Sequence, residues 1–230
     1  MKIEILFGEV CSLYGDHGNI MLLEKTFGKN NIHKTSILET PIFITEDIDL
    51  IYMGAMNEKT QIQVISKLLP FKNILMEKID DGLKALFTGT AMDILARRIV
   101  EEDGTVVEGL DIFNFETKIK WRPRLNCAIY GHYKNIPIVG HKTQFTQAYG
   151  DNSENYFVQV EKGMGINKNT NLEGFVYKNL IATNMTGPLL VMNPEFSQRY
   201  LDAEIPFKDL LLMAQEKRIK DISLVKDVFY

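Results

Sequence analysis

KIEILFGEVCSLYGDHGNIMLLEKTFG, residues 2–28, is the stretch on which the fold turns. Lys2 to Phe7 is apolar and rich in strand formers. Gly8 to Gly18 holds three glycines and reads as a turn-rich connection. Asn19 to Phe27 then carries Ile20, Met21, Leu22, Leu23 and Phe27 in a helical pattern, and Gly28 is a natural stop. The same order repeats outward. Ile32 to Leu38 and Ile48 to Met53 read as strands, with Gly54 ending the second. Glu58 to Leu69 has helical spacing, Pro70 interrupts, and Phe71 to Ile79 reads as a further helix. Ala85 to Thr88 suits a short buried strand, and Thr90 to Val100 a helix. Strand alternating with helix argues for a parallel sheet wrapped by helices. Such sheets bind ligands beyond the carboxyl ends of their strands.

After residue 100 the pattern changes. Asp103-Gly104 lies between two β-rich runs and signals a hairpin within Glu101 to Glu108. Short strand-like pieces follow at Ile112–Phe115, Cys127–Tyr130, Ile136–Val139, Tyr156–Val160, Phe175–Tyr177 and Leu180–Thr183. Helical patterns return at Pro194 to Leu201 and Pro206 to Lys217, and Asp221 to Phe229 suits a further turn or two. There is no internal repeat and no low-complexity linker. One α/β domain over residues 1–230, with a β-rich second half, is the simplest reading.

Composition narrows the function. Lys and Arg number 26 against 30 Asp and Glu, a net charge of −4, which argues against nucleic acid as the main partner. With 45% hydrophobic and 24% charged residues, disorder is disfavoured. Cys11 and Cys127 make no disulfide framework, and with four histidines they show no metal-ligand spacing. No secretory leader and no membrane span is read, so a cytoplasmic protein without a metal or other cofactor is expected.

Four blocks, in order, carry a resemblance. They are Leu13-Tyr14-Gly15-Asp16-His17-Gly18-Asn19-Ile20; Ile51-Tyr52-Met53-Gly54 with Gln61 downstream; Leu86 to Leu95; and Tyr177-Lys178-Asn179-Leu180 followed by Thr186-Gly187-Pro188-Leu189-Leu190. Their order and spacing resemble the class I glutamine amidotransferases of the cobyric-acid-synthase type, and among these the glutaminase subunits of lipid II isoglutaminyl synthases. The resemblance implies a flavodoxin-like α/β fold with a mainly parallel central sheet and an antiparallel extension. It also implies a Mur-ligase-like synthetase partner in cell-wall metabolism, supplied with ammonia from glutamine.

In that family a cysteine on a sharp strand-to-helix turn attacks the glutamine amide, a histidine acts as base, and backbone N–H groups hold the oxyanion. Aligning Asp93-Ile94-Leu95 with the family's Gln-x-Leu puts Gly89 at the nucleophile position, flanked by Thr88 and Thr90. Thr186 stands where the family has histidine, directly before Gly187. The glycine-rich oxyanion turn has become Gly54-Ala55-Met56, and Asp93 replaces a substrate-contacting glutamine. These positions imply an inherited fold without its Cys–His chemistry. The expected outcome is a scaffold or regulator of the synthetase. The alternatives are a hydrolase with another nucleophile, such as Cys11 or a threonine, and a binding protein for a small molecule in the remodelled pocket.

Several residues have two readings. Cys11 is a nucleophile at the ligand edge or a small packed residue, and Cys127 is the same choice on a strand. His141 lines the old pocket or is a satisfied core or surface histidine. Asp16 and Asn19 are N-cap types at a helix start or contacts for a ligand or partner. Arg124, before Leu125, matches an arginine thought to serve the glutamine site in the resembled subunit, or is a solvated loop residue. Gly163-Met164-Gly165 lacks the third glycine and helix of a dinucleotide loop, and no GxxxxGK[ST] loop occurs.

Overall fold

The computed structural model describes residues 1–225 and 229. Its first half is built from β1 (Ile3–Leu6), α1 (His17–Phe27), β2 (Ile32–Thr35), β3 (Leu50–Met53), α2 (Glu58–Leu68), α3 (Lys72–Asp80) and β4 (Lys84–Thr88). There follow β5 (Arg98–Val100), β6 (Val106–Glu108), β7 (Phe115–Ile119), β8 (Leu125–Tyr133), β9 (Ile136–Gln144), β10 (Thr146–Gly150), β11 (Val158–Lys162) and β12 (Leu172–Glu173). The chain then returns through β13 (Phe175–Tyr177), β14 (Leu180–Thr183), α4 (Leu189–Met192), α5 (Pro194–Leu201) and α6 (Lys208–Leu224).

A six-stranded sheet in the order β13-β14-β4-β3-β1-β2 forms the middle layer. Every pairing in it is parallel except β13 with β14. Leaving out the antiparallel edge strand, the order is the flavodoxin-like one. β1, β3 and β14 are buried at every residue, and β4 at every residue but Lys84, because both faces are covered. Alternate residues divide between two cores. Ile51, Met53, Ala85 and Phe87 pack with Val64 of α2, Leu75 of α3 and Phe115 of β7. Leu50, Tyr52, Leu86 and Ile181 pack with Ile20 of α1, Ile129 of β8, Ile138 of β9 and Phe196 of α5.

The expected antiparallel extension of the central sheet is β13, which pairs with β14 at its edge. Apart from β13 and β14, the β-rich half makes two separate four-stranded sheets, β10-β7-β5-β6 and β12-β11-β8-β9. The hairpin expected at Asp103-Gly104 joins β5 to β6. The strand expected at Ile112–Phe115 starts only at Phe115.

The expected helix over Thr90 to Val100 is absent. Two 3-10 turns, Gly89–Ala91 and Asp93–Leu95, lead directly into β5. The reason is competition for carbonyls. The N–H groups of Leu110, Asp111 and Ile112 donate to the carbonyls of Ile94, Ala96 and Leu95, so a helix there would lose its acceptors. At the other end, Pro194–Leu201 is helical as expected, while the last helix runs from Lys208 to Leu224 rather than stopping at Lys217. Of the turns expected in Asp221 to Phe229, residues 226–228 lie outside the described residues. No helix among the described residues is long and apolar enough to cross a membrane.

Candidate functional site

The candidate site lies at the carboxyl ends of β3, β4 and β14. Gly89 closes β4 with φ +59, a left-handed conformation that glycine adopts at little cost. A Cβ built on Gly89 would stand 2.6 Å from Ala55 Cβ and 2.9 Å from Thr186 Cγ2. Three segments far apart in sequence thus meet around one glycine. The space that a side chain at residue 89 would enter is filled by the methyl groups of Ala55 and Thr186.

Three backbone donors of this region, those of Ala55, Met56 and Gly89, are taken up internally. Ala55 N–H donates to Asp16 Oδ2 at 2.7 Å, and Met56 N–H to Thr90 Oγ1 at 2.9 Å. The Thr90 hydroxyl in turn donates to the Met56 carbonyl. Gly89 N–H donates to the Met185 carbonyl at 3.0 Å. An oxyanion hole needs N–H groups aimed at the developing charge. Here those of Ala55, Met56 and Gly89 already have acceptors.

Asp16 does not cap α1. It sits at the N-cap position with no side-chain capping bond, and its carboxylate reaches across instead to Ala55 N–H and Thr88 Oγ1. Burial pushes its pKa up to about 6, against the lowering effect of those hydrogen bonds. Thr88 Oγ1 also lies 3.1 Å from the Tyr52 hydroxyl, which Asn19 Nδ2 reaches at 2.8 Å. Asn19 Oδ1 accepts from Leu190 N–H, tying α1 to α4. The two residues read as cap types are therefore interior cross-links, a role that nothing in the local sequence announces.

Asp93 also turns inward. Gln61 Nε2 and Thr117 Oγ1 donate to its carboxylate at 3.2 Å each, as does Asn184 Nδ2. Burial raises its pKa to about 6. Gln61 Nε2 also holds the Thr90 carbonyl, so Asp93 and Gln61 together brace the turn from beneath. Gly54, Ala55, Met56, Thr88, Gly89, Thr90, Asp93, Thr186 and Gly187 are all buried. Arg124 is exposed; it donates to Tyr14 Oη at 2.7 Å and stacks over the Phe145 ring.

Tertiary structure brings in one group that sequence proximity hides. Thr186 N–H donates to the His141 carbonyl at 2.8 Å, and a Cβ on Gly187 would lie 2.9 Å from His141 Cε1. The His141 imidazole thus stands beside Gly187, and the His141 carbonyl against Thr186, although 45 positions separate His141 and Thr186 in sequence. Burial lowers its pKa, which favours the neutral ring. Cys11 is buried, with Sγ 3.9 Å from Met56 Sδ. Burial, helped by the charge of Glu9, pushes its thiol up to about 12, so the thiolate that attacks is suppressed. Cys127 is buried on β8. Among the described residues no three His, Cys, Asp or Glu side chains gather in a way that could hold a metal ion.

The strand order and the glycine turn at the end of β4 define the class: a flavodoxin-like α/β domain of the class I glutamine amidotransferase kind. The chain belongs to the family of CobB/CobQ-like glutamine amidotransferase domains, which matches residues 2–194. It is 30% identical to the GatD subunit of the glutamine-hydrolyzing lipid II isoglutaminyl synthase of Staphylococcus aureus, over 88% of this chain and 83% of that one. To the corresponding Streptococcus pneumoniae subunit it is 26% identical, over 94% and 86% of the two chains. A crystal structure of a glutamine amidotransferase from Thermotoga maritima superposes with TM-score 0.51 at 11% identity, covering 96% of this chain and 94% of that one. That likeness is one of fold.

Proposed function

We propose that this chain is a glutamine amidotransferase-like subunit that does not hydrolyse glutamine by a Cys–His mechanism, and that it serves as a cytoplasmic scaffold or regulator of a Mur-ligase-like amidating partner in lipid II metabolism. The observation that carries the reading is the packing around Gly89. No thiol stands at that turn, Ala55 fills the space a thiol would need, and the neighbouring N–H groups are bonded to Asp16 and Thr90. Thr186 adjoins Gly89 but carries a hydroxyl, which cannot take up a proton near neutral pH as imidazole does. In this reading Gly89 and Thr186 occupy the former nucleophile and base positions. The remnant pocket has closed over them, which disfavours a small-molecule occupant there. Its buried, protonated thiol argues equally against Cys11 as a replacement nucleophile.

The test has two arms. Ammonia release from glutamine is measured for the purified chain, alone and with its Mur-ligase-like partner; background-level release is expected. Affinity purification from the native cell should recover that partner. Robust glutamine turnover that Cys11→Ser abolishes would replace this reading with an unrelated nucleophile on an inherited fold.

A further inference from the structure

A second cleft lies at the opposite end of the same strands. It encloses about 200 Å3, and four cationic side chains line it: Lys84 at the start of β4, Lys134 in the β8–β9 turn, Lys178 in the β13–β14 turn and Arg199 on α5. No carboxylate lines it. Lys178 pairs with Asp80 at the surface, whereas Lys84, Lys134 and Arg199 have no carboxylate partner among the described residues. Tyr133, Phe196 and Tyr200 form an aromatic wall, with the Phe196 and Tyr200 rings stacked at 5.6 Å.

We propose that this cleft binds a phosphate-bearing small molecule through a diphosphate-type group. Four elements distant in sequence each deliver a cation to one small space. After Asp80 is set against Lys178, about three positive charges remain, which a single carboxylate would leave largely unmatched. A diphosphate offers comparable charge and several acceptor oxygens for an arginine fork and lysine ammonium groups. The two turns add an independent argument. Both read Tyr-Lys-Asn before an aliphatic residue, at 133–136 and 177–180. In both, the lysine has positive φ, +56 at Lys134 and +51 at Lys178, while the asparagine does not. Two-residue hairpin turns of that pattern favour glycine at the first position. Lysine holds it here against its backbone preference, and in both turns its side chain lines the same cleft. The site is distinct from the one at Gly89, since the five residues of β4 separate Lys84 from that turn by about 16 Å. It stands whether or not glutamine is hydrolysed at Gly89.

Calorimetric titration of the full chain with inorganic pyrophosphate, and separately with inorganic phosphate, tests the assignment. One pyrophosphate per chain is expected at a dissociation constant below ~1 mM, at least ~10-fold tighter than phosphate. The double variant Lys84→Gln/Arg199→Gln should weaken pyrophosphate at least ~10-fold with an unchanged melting temperature. Lys134→Gly separates binding from folding: glycine suits φ +56, so the variant should melt no lower than the parent yet bind more weakly. Lys118→Gln, on β7, should leave binding unaltered. Absence of binding at ~10 mM pyrophosphate, equal affinity in the parent and the double variant, or loss of affinity in Lys118→Gln would overturn the proposal.

Discussion

The two ends of β4 make opposite use of one strand. At its last residues every side chain is buried, the N–H groups of Ala55, Met56 and Gly89 are bonded internally, and the two carboxylates nearest the turn are drawn inward as cross-links. At its first residue an ammonium group lines an open cleft beside three other cations, with no carboxylate partner among the described residues. In a sheet of this class the carboxyl end is where ligands bind. Here that end has the dense packing of a core, and the amino end has the spare charge and space of a binding surface. The difference shows that a fold constrains where a turn must be, while the side chains around the turn decide whether anything can enter it.

The sharpest way to break this comparison is kinetic. If the carboxyl end is closed, glutaminase turnover with the synthetase partner should fall several powers of ten below that of a thiol-bearing relative, because loss of either member of such a pair removes most of the rate. Gly89→Cys/Thr186→His should stay silent, since Ala55 still occupies the space beside residue 89; adding Ala55→Gly is the minimum for any recovery. Ammonia release measures all three proteins. Recovery in the double variant would show that the turn opens more easily than its packing implies.

The next effect is on stability. Lys142, fully buried on β9, pairs with Glu173 and donates to the Gly165 carbonyl at 2.6 Å. Glu173 also accepts from Thr183 Oγ1 and Asn184 N–H at the end of β14, so the pair braces the strand leading to Thr186. Lys142→Met leaves a carboxylate buried without its cation and should cost about 3–5 kcal/mol in urea unfolding. Lys142→Met/Glu173→Gln should recover part of that loss. Lys84→Gln, at the open end, should change stability by less than about 0.5 kcal/mol.

A third effect depends on pH. Asp16 and Asp93 are raised by burial from 3.8 to about 6. Below 3.8 both folded and unfolded chains hold these protons, and the contribution to stability is full. As pH climbs from there to about 6, the unfolded chain releases its protons first, so each group removes about 1.4 kcal/mol of stability per pH unit. Above about 6 the loss is complete. Asp16→Asn should flatten the fall in unfolding free energy measured between pH 4 and 6. An unaltered slope would mean that Asp16 is better solvated than its position suggests.

The smallest effect belongs to the turn itself. Gly89→Cys alone should destabilise by about 1–3 kcal/mol through overpacking against Ala55 and Thr186, and Ala55→Gly should relieve part of it. The melting temperatures of the two variants measure it.

Much of the central layer was legible in the chain. The apolar runs at residues 2–7, 48–53 and 85–88 could be strands only in a sheet covered on both faces, and the patterns between them supplied the helices. The glycine at residue 89 was legible as a turn through the resemblance, which sets it at the family's strand-to-helix turn. What local pattern could not supply was the destination of each polar group. Asp16 looked like a cap because capping is a short-range act, but its acceptors face donors from residues 55 and 88. Residues 90–100 had helical spacing, yet residues 110–112 took the carbonyls.

Sequence alone determined the order of strands and helices from β1 to β4, because hydrophobic period and glycine placement act over a few residues. It also determined that residue 89 carries no thiol and residue 186 no imidazole, since no neighbour can supply a thiol to glycine or an imidazole to threonine. Only the tertiary structure decided that the Ala55 methyl fills the space, that the Met56 amide is already bonded, and that His141 stands beside Thr186. Only it gathered Lys84, Lys134, Lys178 and Arg199 at one cleft. Close packing and hydrogen bonding join whichever groups the sheet brings within reach, and distance along the chain does not enter into that.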